Sequence, residues 1–354
     1  MALGRPFDGR GAFLDRRRIL ARLFVIIGGL IVIVLTAALV GPYFIDWTSY
    51  RSDFEREASR ILGRKVTVMG HATARLLPFP SVTFTDVRVA GRTPGEPAVT
   101  VEKFSMDAEL APFLRGELLI FDTRIVKPHV VVGIDPDGTI DWTLRPSTPF
   151  DPHQITLEKV TVTDGSVTVL HGASGHNLQI AGINGTISAK SLAGPWRFQG
   201  SLVADGEPVA LDVSTGMAKA GGPMRVRIKA DPRDYPVEFL TDGDTRIAGG
   251  KLVYAGDFRF NVHADKSAVA AARAAHRPIP PDPYRVSGTF SLDHKHLTAD
   301  QFRFETGPLD NPYAANGKAL LDFGQKPHFS ISASGEQVRF DETVAGHTGR
   351  LTLD

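Results

Sequence analysis

From Lys65 onward the apolar residues of this chain recur at every second position, and that period persists almost to the C-terminus. Successive side chains of a β-strand point to opposite faces, so a period of two specifies strands with one dry and one wet face and excludes a helical bundle. Met224-Arg-Val-Arg-Ile-Lys-Ala230 is the clearest case: Met224, Val226, Ile228 and Ala230 share one face, and Arg225, Arg227 and Lys229 share the other. The pattern returns at Val82/Phe84, Phe104/Met106/Ala108/Leu110, Val130/Val132/Ile134, Val160/Val162, Val167/Val169, Val209/Leu211/Val213, Phe258/Phe260/Val262, Phe302/Phe304 and Phe329/Ile331/Ala333. It predicts about sixteen strands at ~10–15-residue spacing. Asp164-Gly165, Asn184-Gly185, Asp205-Gly206 and Asp242-Gly243 read as short hairpin turns, so most neighbours are expected to pair antiparallel. The 35 glycines and 24 prolines suit a chain of many strands and turns.

Ahead of the strands lies an uncharged run, Leu23 to Ile45, preceded by Arg16, Arg17, Arg18 and Arg22. About 20 apolar residues in a helix cross a bilayer core, and a basic flank is retained on the cytoplasmic side. The reading is therefore a cytoplasmic segment over 1–22, a single transmembrane helix over 23–45, and the bulk of the chain outside the cytoplasm on the inner (plasma) membrane. A signal peptide cut after Thr36-Ala37-Ala38 competes, but the run exceeds a signal core of ~7–15 residues and continues into the interfacial aromatics Tyr43, Phe44 and Trp47. Phe54, Ala58, Ile61 and Leu62 then sit at helical spacing before Gly63, which predicts a short amphipathic helix within 46–63. Leu110 to Gly116 reads as one helical turn. Asp265 to Pro283 is alanine- and proline-rich, a linker or insertion between β-segments at 64–264 and 284–354, and any domain boundary falls there.

Composition removes several function classes. A net charge of +1 argues against a nucleic-acid partner, and zero cysteines excludes disulfides and thiolate metal sites. His294 and His296 flank Lys295 on a strand and are the best metal-ligand candidates, yet solvated histidines are the commoner outcome. Asp135-Pro-Asp-Gly138 begins like a calcium loop, but Pro146 stands where a closing carboxylate is needed. Gly172-Ala-Ser-Gly175 lacks the spacing of a nucleophile elbow, and the sequon Asn184-Gly-Thr186 is explained by a turn. No catalytic, cofactor-binding or metal residue is therefore assigned, and the chain is not read as an enzyme.

Alternation alone does not separate a closed sandwich from an open sheet curled around an apolar trough. Three stretches add information. Phe54 to Gly70 with Leu76-Leu-Pro-Phe-Pro-Ser81, then Met106 to Ile120 through Lys127-Pro128 to Asp135-Pro-Asp-Gly-Thr-Ile-Asp-Trp142, resemble in order and spacing the opening of the AsmA family of bacterial envelope proteins. Tyr284 to Phe290, Asn316 to Phe323 and Pro327 to Ala333 are similar to that family's recurring strand pairs. The resemblance implies an inner-membrane anchor, an elongated, curled β-sheet with a hydrophobic groove in the periplasm, and a role in outer-membrane biogenesis. Membrane phospholipid is the implied ligand, held or conducted by its acyl chains. The groove-lining candidates are then Met224, Val226, Ile228, Phe258, Phe260, Phe302, Phe304, Phe329 and Ile331. A tethered scaffold that transports nothing and contacts outer-membrane assembly factors is the alternative. The chain ends at Asp354 after a strand pair, as a short member or an N-terminal portion of a longer one would.

Overall fold

The computed structural model describes residues 26–335 apart from 35, 38, 45, 76, 78, 94, 114–117, 142–154, 218–221, 265, 278, 280, 281 and 308–311. Within the expected membrane span, residues 26–34, 36, 37, 39 and 40 are helical, while Leu23, Phe24 and Val25 lie outside the described residues, as do the four arginines. Among the described residues no helix is long and apolar enough to cross a membrane. Two short 3₁₀ turns, Gly41–Phe44 and Trp47–Tyr50, lead into helix α1 (Arg51–Leu62). Helix α1 stops where Gly63 turns left-handed at φ 66°, the conformation a glycine adopts without a Cβ penalty. Tyr50 occupies the N-cap and provides no side-chain cap.

Among the described residues a single sheet of 17 strands follows. The strands are β1 (Val66–Val68), β2 (Ala72–Arg75), β3 (Ser81–Ala90), β4 (Pro97–Ala108), β5 (Leu118–Val126), β6 (His129–Ile134), β7 (Ile155–His171), β8 (His176–Ala189) and β9 (Trp196–Ala204). They continue as β10 (Glu207–Thr215), β11 (Met224–Pro232), β12 (Val237–Ala248), β13 (Lys251–Val262), β14 (Tyr284–Leu292), β15 (His296–Thr306), β16 (Tyr313–Asp322) and β17 (His328–Gly335). One helical turn, α2 (Leu110–Phe113), precedes β5, and helix α3 (Lys266–Ala274) lies between β13 and β14. Val262 pairs with Tyr284, so β13 and β14 are direct neighbours and the 265–283 segment is an insertion in their connection rather than a break in the sheet.

From β7 to β17 every strand pairs antiparallel with the next, an unbroken meander. The N-terminal part departs from the antiparallel expectation. β5 and β6 follow one line between β4 and β7, antiparallel to β4 and parallel to β7, so the sheet is mixed. The offset to β7 is constant across both segments, from Leu118 against Ile155 to Ile134 against His171. Kinks fall in step along this region. Asp86, Lys127, Asp164 and Gly182 all adopt positive φ, in β3, between β5 and β6, in β7 and in β8. At that crease the period of two slips by one residue, from Ile125 to Val130, from Val162 to Val167 and from Gly185 to Ile180, as β-bulges do when they re-aim a strand.

Of the four expected hairpin turns only Asp205-Gly206 connects two strands. Asp164-Gly165 forms part of the crease, and Asn184-Gly185 and Asp242-Gly243 lie inside β8 and β12. Close approach explains the glycine of the last pair. Gly243 stands opposite Gly256, and a Cβ on Gly256 would come within 2.3 Å of the Gly243 Cα.

Candidate functional site

The register allows the two faces to be read directly, because residues paired across strands share a face. One such line runs Ala72, Phe84, Phe104, Ile125, Val162, Gly185, Gly200, Leu211, Ala230, Phe239, Phe260, Val286, Phe304, Ala315 and Gly335, with no polar side chain in it. The adjacent line, displaced by one residue, runs Thr73, Thr83, Ser105, Arg124, Thr161, Thr186, Gln199, Asp212, Lys229, Leu240, Arg259, Ser287, Arg303, Asn316 and Ser334, and Leu240 is its only apolar member. At about 4.8 Å per strand the apolar line is ~67 Å long when unrolled.

Where β6–β8 approach β13 and β14, the apolar face is the concave, inner one. Sheets twist by roughly 20–25° per strand, so the seven steps from β7 to β14 accumulate ~140–175° and bring opposite strand ends together. His171 at the end of β7 bonds through Nε2 to the His294 carbonyl in the β14–β15 turn at 2.6 Å. Ile134, Val169 and Leu178 then face Tyr254 and Leu292 across a cavity of about 570 Å³. The loop after β6 straps this junction. Ile140 donates its N–H to the Gly250 carbonyl at 2.9 Å, Thr139 bridges to Lys251, and Gly138, at φ 91°, lies so close that a Cβ would meet the His294 ring at 2.5 Å. Arg92 holds the strap from the other side, bonding both carboxylate oxygens of Asp135 at 2.9–3.0 Å and contacting Asp141 at 3.1 Å. An arginine thus sits where the Asp135-Pro-Asp137 motif would have taken a cation.

Within the trough, Val226, Tyr254 and Phe290 form a buried cluster against Val213, Met224, Ile228, Phe258, Leu292 and Leu297. Its polar atoms are satisfied internally: the Tyr254 hydroxyl donates to the Val226 carbonyl or to Thr241 Oγ1, at 3.1 and 2.7 Å. Burial pushes the Tyr254 phenol above its ordinary range. All nine sequence-derived groove candidates lie on this face. Val226 is 9% exposed in the cluster, whereas Phe329 and Ile331 at the β17 edge are 72% and 63% exposed. A bulge between Ala299 and Phe302 shifts the β15 period so that Leu297, Phe302 and Phe304 stay on one side. The sequence pattern did not single out Tyr254, Leu292 and Leu178. Tyr254 does alternate with Phe258 and Phe260, but its partners across the cavity are set by twist, which leaves no local trace.

A larger concavity of about 1030 Å³ opens on the wet face and is lined by Arg227, Asp242, Asp257, Arg259, Arg303 and Lys318. Charges of both signs make it unsuitable for hydrocarbon. His294 and His296 do not share a face. His294 lies in the turn against Gly138, while His296 opens β15 beside Asp293 and Asp322, and among the described residues no group of side chains is arranged to hold a metal ion. Asn184 of the sequon is engaged, accepting from the Asp164 N–H and donating to the Gly182 carbonyl, both at 2.9 Å.

Helix α1 covers the first end of the trough. Phe54 meets the Phe84 ring edge-on at 5.3 Å, and Phe84 stacks with Phe104. Ser59 and Glu55 accept the N–H groups of Val66 and Val68 at 2.8 and 2.7 Å. No curated protein and no solved structure matches the chain. The family model described as AsmA family matches residues 16–220, which include the apolar N-terminal run, α1, the crease and the strands through β10, more than half of the 354 residues. On that match, the chain belongs to the AsmA family.

Proposed function

We propose that the protein is held in the inner membrane by its apolar N-terminal run, with the sheet in the periplasm, and supports outer-membrane biogenesis by holding or conducting phospholipid acyl chains in its trough. Membership of a family of envelope proteins supports the envelope role. One observation carries the lipid reading: a line of fifteen paired positions with no polar side chain, on a concave face that stays partly open. Shielding a methylene from water is worth about 0.8 kcal/mol, so a chain of such contacts holds an acyl tail while no single contact prevents it from sliding. The expected test result is lipid crosslinking to photoreactive residues at Met224 and Phe260 and little at Arg225 and Arg259 on the opposite face. Equal labelling of both faces sinks the trough reading.

The cluster of Val226, Tyr254 and Phe290 favours a second reading, because there the concave face packs on itself as a scaffold would. Native mass spectrometry of the gently extracted protein separates the two. Retained phospholipid supports conduction, and a persistently empty particle supports a tethered scaffold acting on outer-membrane assembly factors.

A further inference from the structure

The end of the sheet next to the N-terminal helix carries apolar side chains that neither the trough nor the core uses. Phe79, in the β2–β3 turn, is 48% exposed and meets Phe121 edge-on at 5.2 Å. Ala108 donates its N–H to the Pro80 carbonyl at 2.8 Å, which places the start of α2, with exposed Leu110, beside the same turn. Both 3₁₀ turns pack against β2. They continue the line of α1 away from β1, since Arg51 at the head of the helix reaches the Val68 carbonyl and Phe54 reaches Phe84, the partner of Ala72. Those turns present Phe44, 84% exposed, and Tyr50, which contacts Trp47 at 6.1 Å. Three separate parts of the chain thus converge on one apolar, aromatic tip.

We infer that this tip is a membrane-contact surface: Phe79 and Leu110, together with Phe44 and Tyr50, enter the interfacial layer of the bilayer that holds the N-terminal helix. The occupant follows from continuity. The tip adjoins helical residues whose large apolar side chains, among them Ile26, Leu30, Ile33 and Val40, are exposed, and aromatic rings favour the headgroup boundary. Leu76-Leu-Pro-Phe-Pro80 and Leu110-Ala-Pro-Phe-Leu114 contain no charged residue, and the nearest charges in sequence, Arg75 and Glu109 among them, adjoin their ends. The inference rests on the anchoring proposed above and adds a second, independent contact that fixes the sheet's orientation on the membrane.

The chain has no cysteine, so single-cysteine labelling needs no background removal. The full chain would be reconstituted in vesicles of phosphatidylethanolamine with a minority of phosphatidylglycerol. An environment-sensitive fluorophore would be attached in turn at Phe79→Cys, Leu110→Cys, Leu30→Cys and Phe329→Cys. The expected outcome is several-fold quenching by brominated lipid and protection from aqueous iodide at positions 79 and 110, with the reverse at 329. A label at Tyr50→Cys should lose several-fold of its lipid quenching when Phe79→Asp and Leu110→Asp are added. Iodide access at 79 and 110 equal to that at 329 overturns the tip contact. Position 30 reports separately on the anchor: lipid quenching there alone leaves the anchor standing without the tip, and iodide access there removes the anchor itself.

Discussion

Single residues set how tightly the sheet can curl. Gly243 and Gly256 face each other so closely that Gly256→Ala drives a methyl into backbone, and overpacking of that kind costs about 1–3 kcal/mol, to be read from the urea midpoint. Gly206 has open space at the same test, and its φ of 85° makes asparagine the mildest replacement. Tyr254→Phe leaves Thr241 Oγ1, in a side chain 4% exposed, without its hydroxyl partner, and should destabilise by about 1–2 kcal/mol. Partial burial opposes ionisation of Asp293, but the N–H groups of Lys295 and His296, with the His296 side chain, outweigh it and hold its carboxyl below the usual carboxylate range. The stabilisation is therefore present above the unfolded carboxylate pKa, about 3.9, and is lost as pH falls through the lower folded value. Protection of the β14–β15 turn amides, taken relative to their intrinsic exchange at each pH, should fall on acidification in that window, and in Asp293→Asn that fall should be absent. The residue scale was only partly legible in sequence: Asp242-Gly243 looks like a turn because local chemistry permits one, and only the facing Gly256 turns it into a crossing point.

Elements were the most legible scale. The change of period at Lys65, the stop at Gly63 and the turn at Leu110 all follow from local spacing, and they reappear as β1, α1 and α2. The parallel pairing of β5 and β6 with β7 was not legible, because alternation says which face is dry and nothing about strand direction. The strap after β6 was hidden for a related reason, since its partners Gly250 and His294 lie more than a hundred residues away. Two substitutions rank its ties. Arg92→Ala removes exposed, solvent-screened ion pairs to Asp135 and Asp141 and should leave the urea midpoint nearly unchanged. Gly138→Leu places a side chain against the His294 ring at a left-handed φ and should release the strap, seen as faster amide exchange at Ile140 and His171. Faster exchange in Arg92→Ala than in Gly138→Leu means the ion pairs, not the close packing, hold the junction.

The molecule as a whole is a long sheet in which each strand of the meander touches chiefly its sequence neighbours. Such quasi-linear arrays open in parts, because stability is a sum of nearest-neighbour terms. Hydrogen exchange should therefore be graded, slowest around Val160, Val162, Val226 and Tyr254 and fastest in β17, whose residues are all exposed. The first edge is different, since α1 occupies the N–H groups of β1 and so blocks association there. The curl was readable from periodicity only as one of two possibilities. What selects it is twist summed over many strands, a property no short window contains.

The crease has a further consequence for how the chain can change. Lys127 and Asp164 kink at matched places on adjoining parallel strands, joined where Lys127 donates its N–H to the Thr163 carbonyl at 2.8 Å. Adding one residue to either strand alone would turn every side chain beyond the kink inside out, sending Val130 and Val132, or Val167 and Val169, into water. A lineage could lengthen or shorten these strands only by paired insertions or deletions. The crease thus acts as a ratchet on sequence change, holding two stretches thirty-seven residues apart to one shared length.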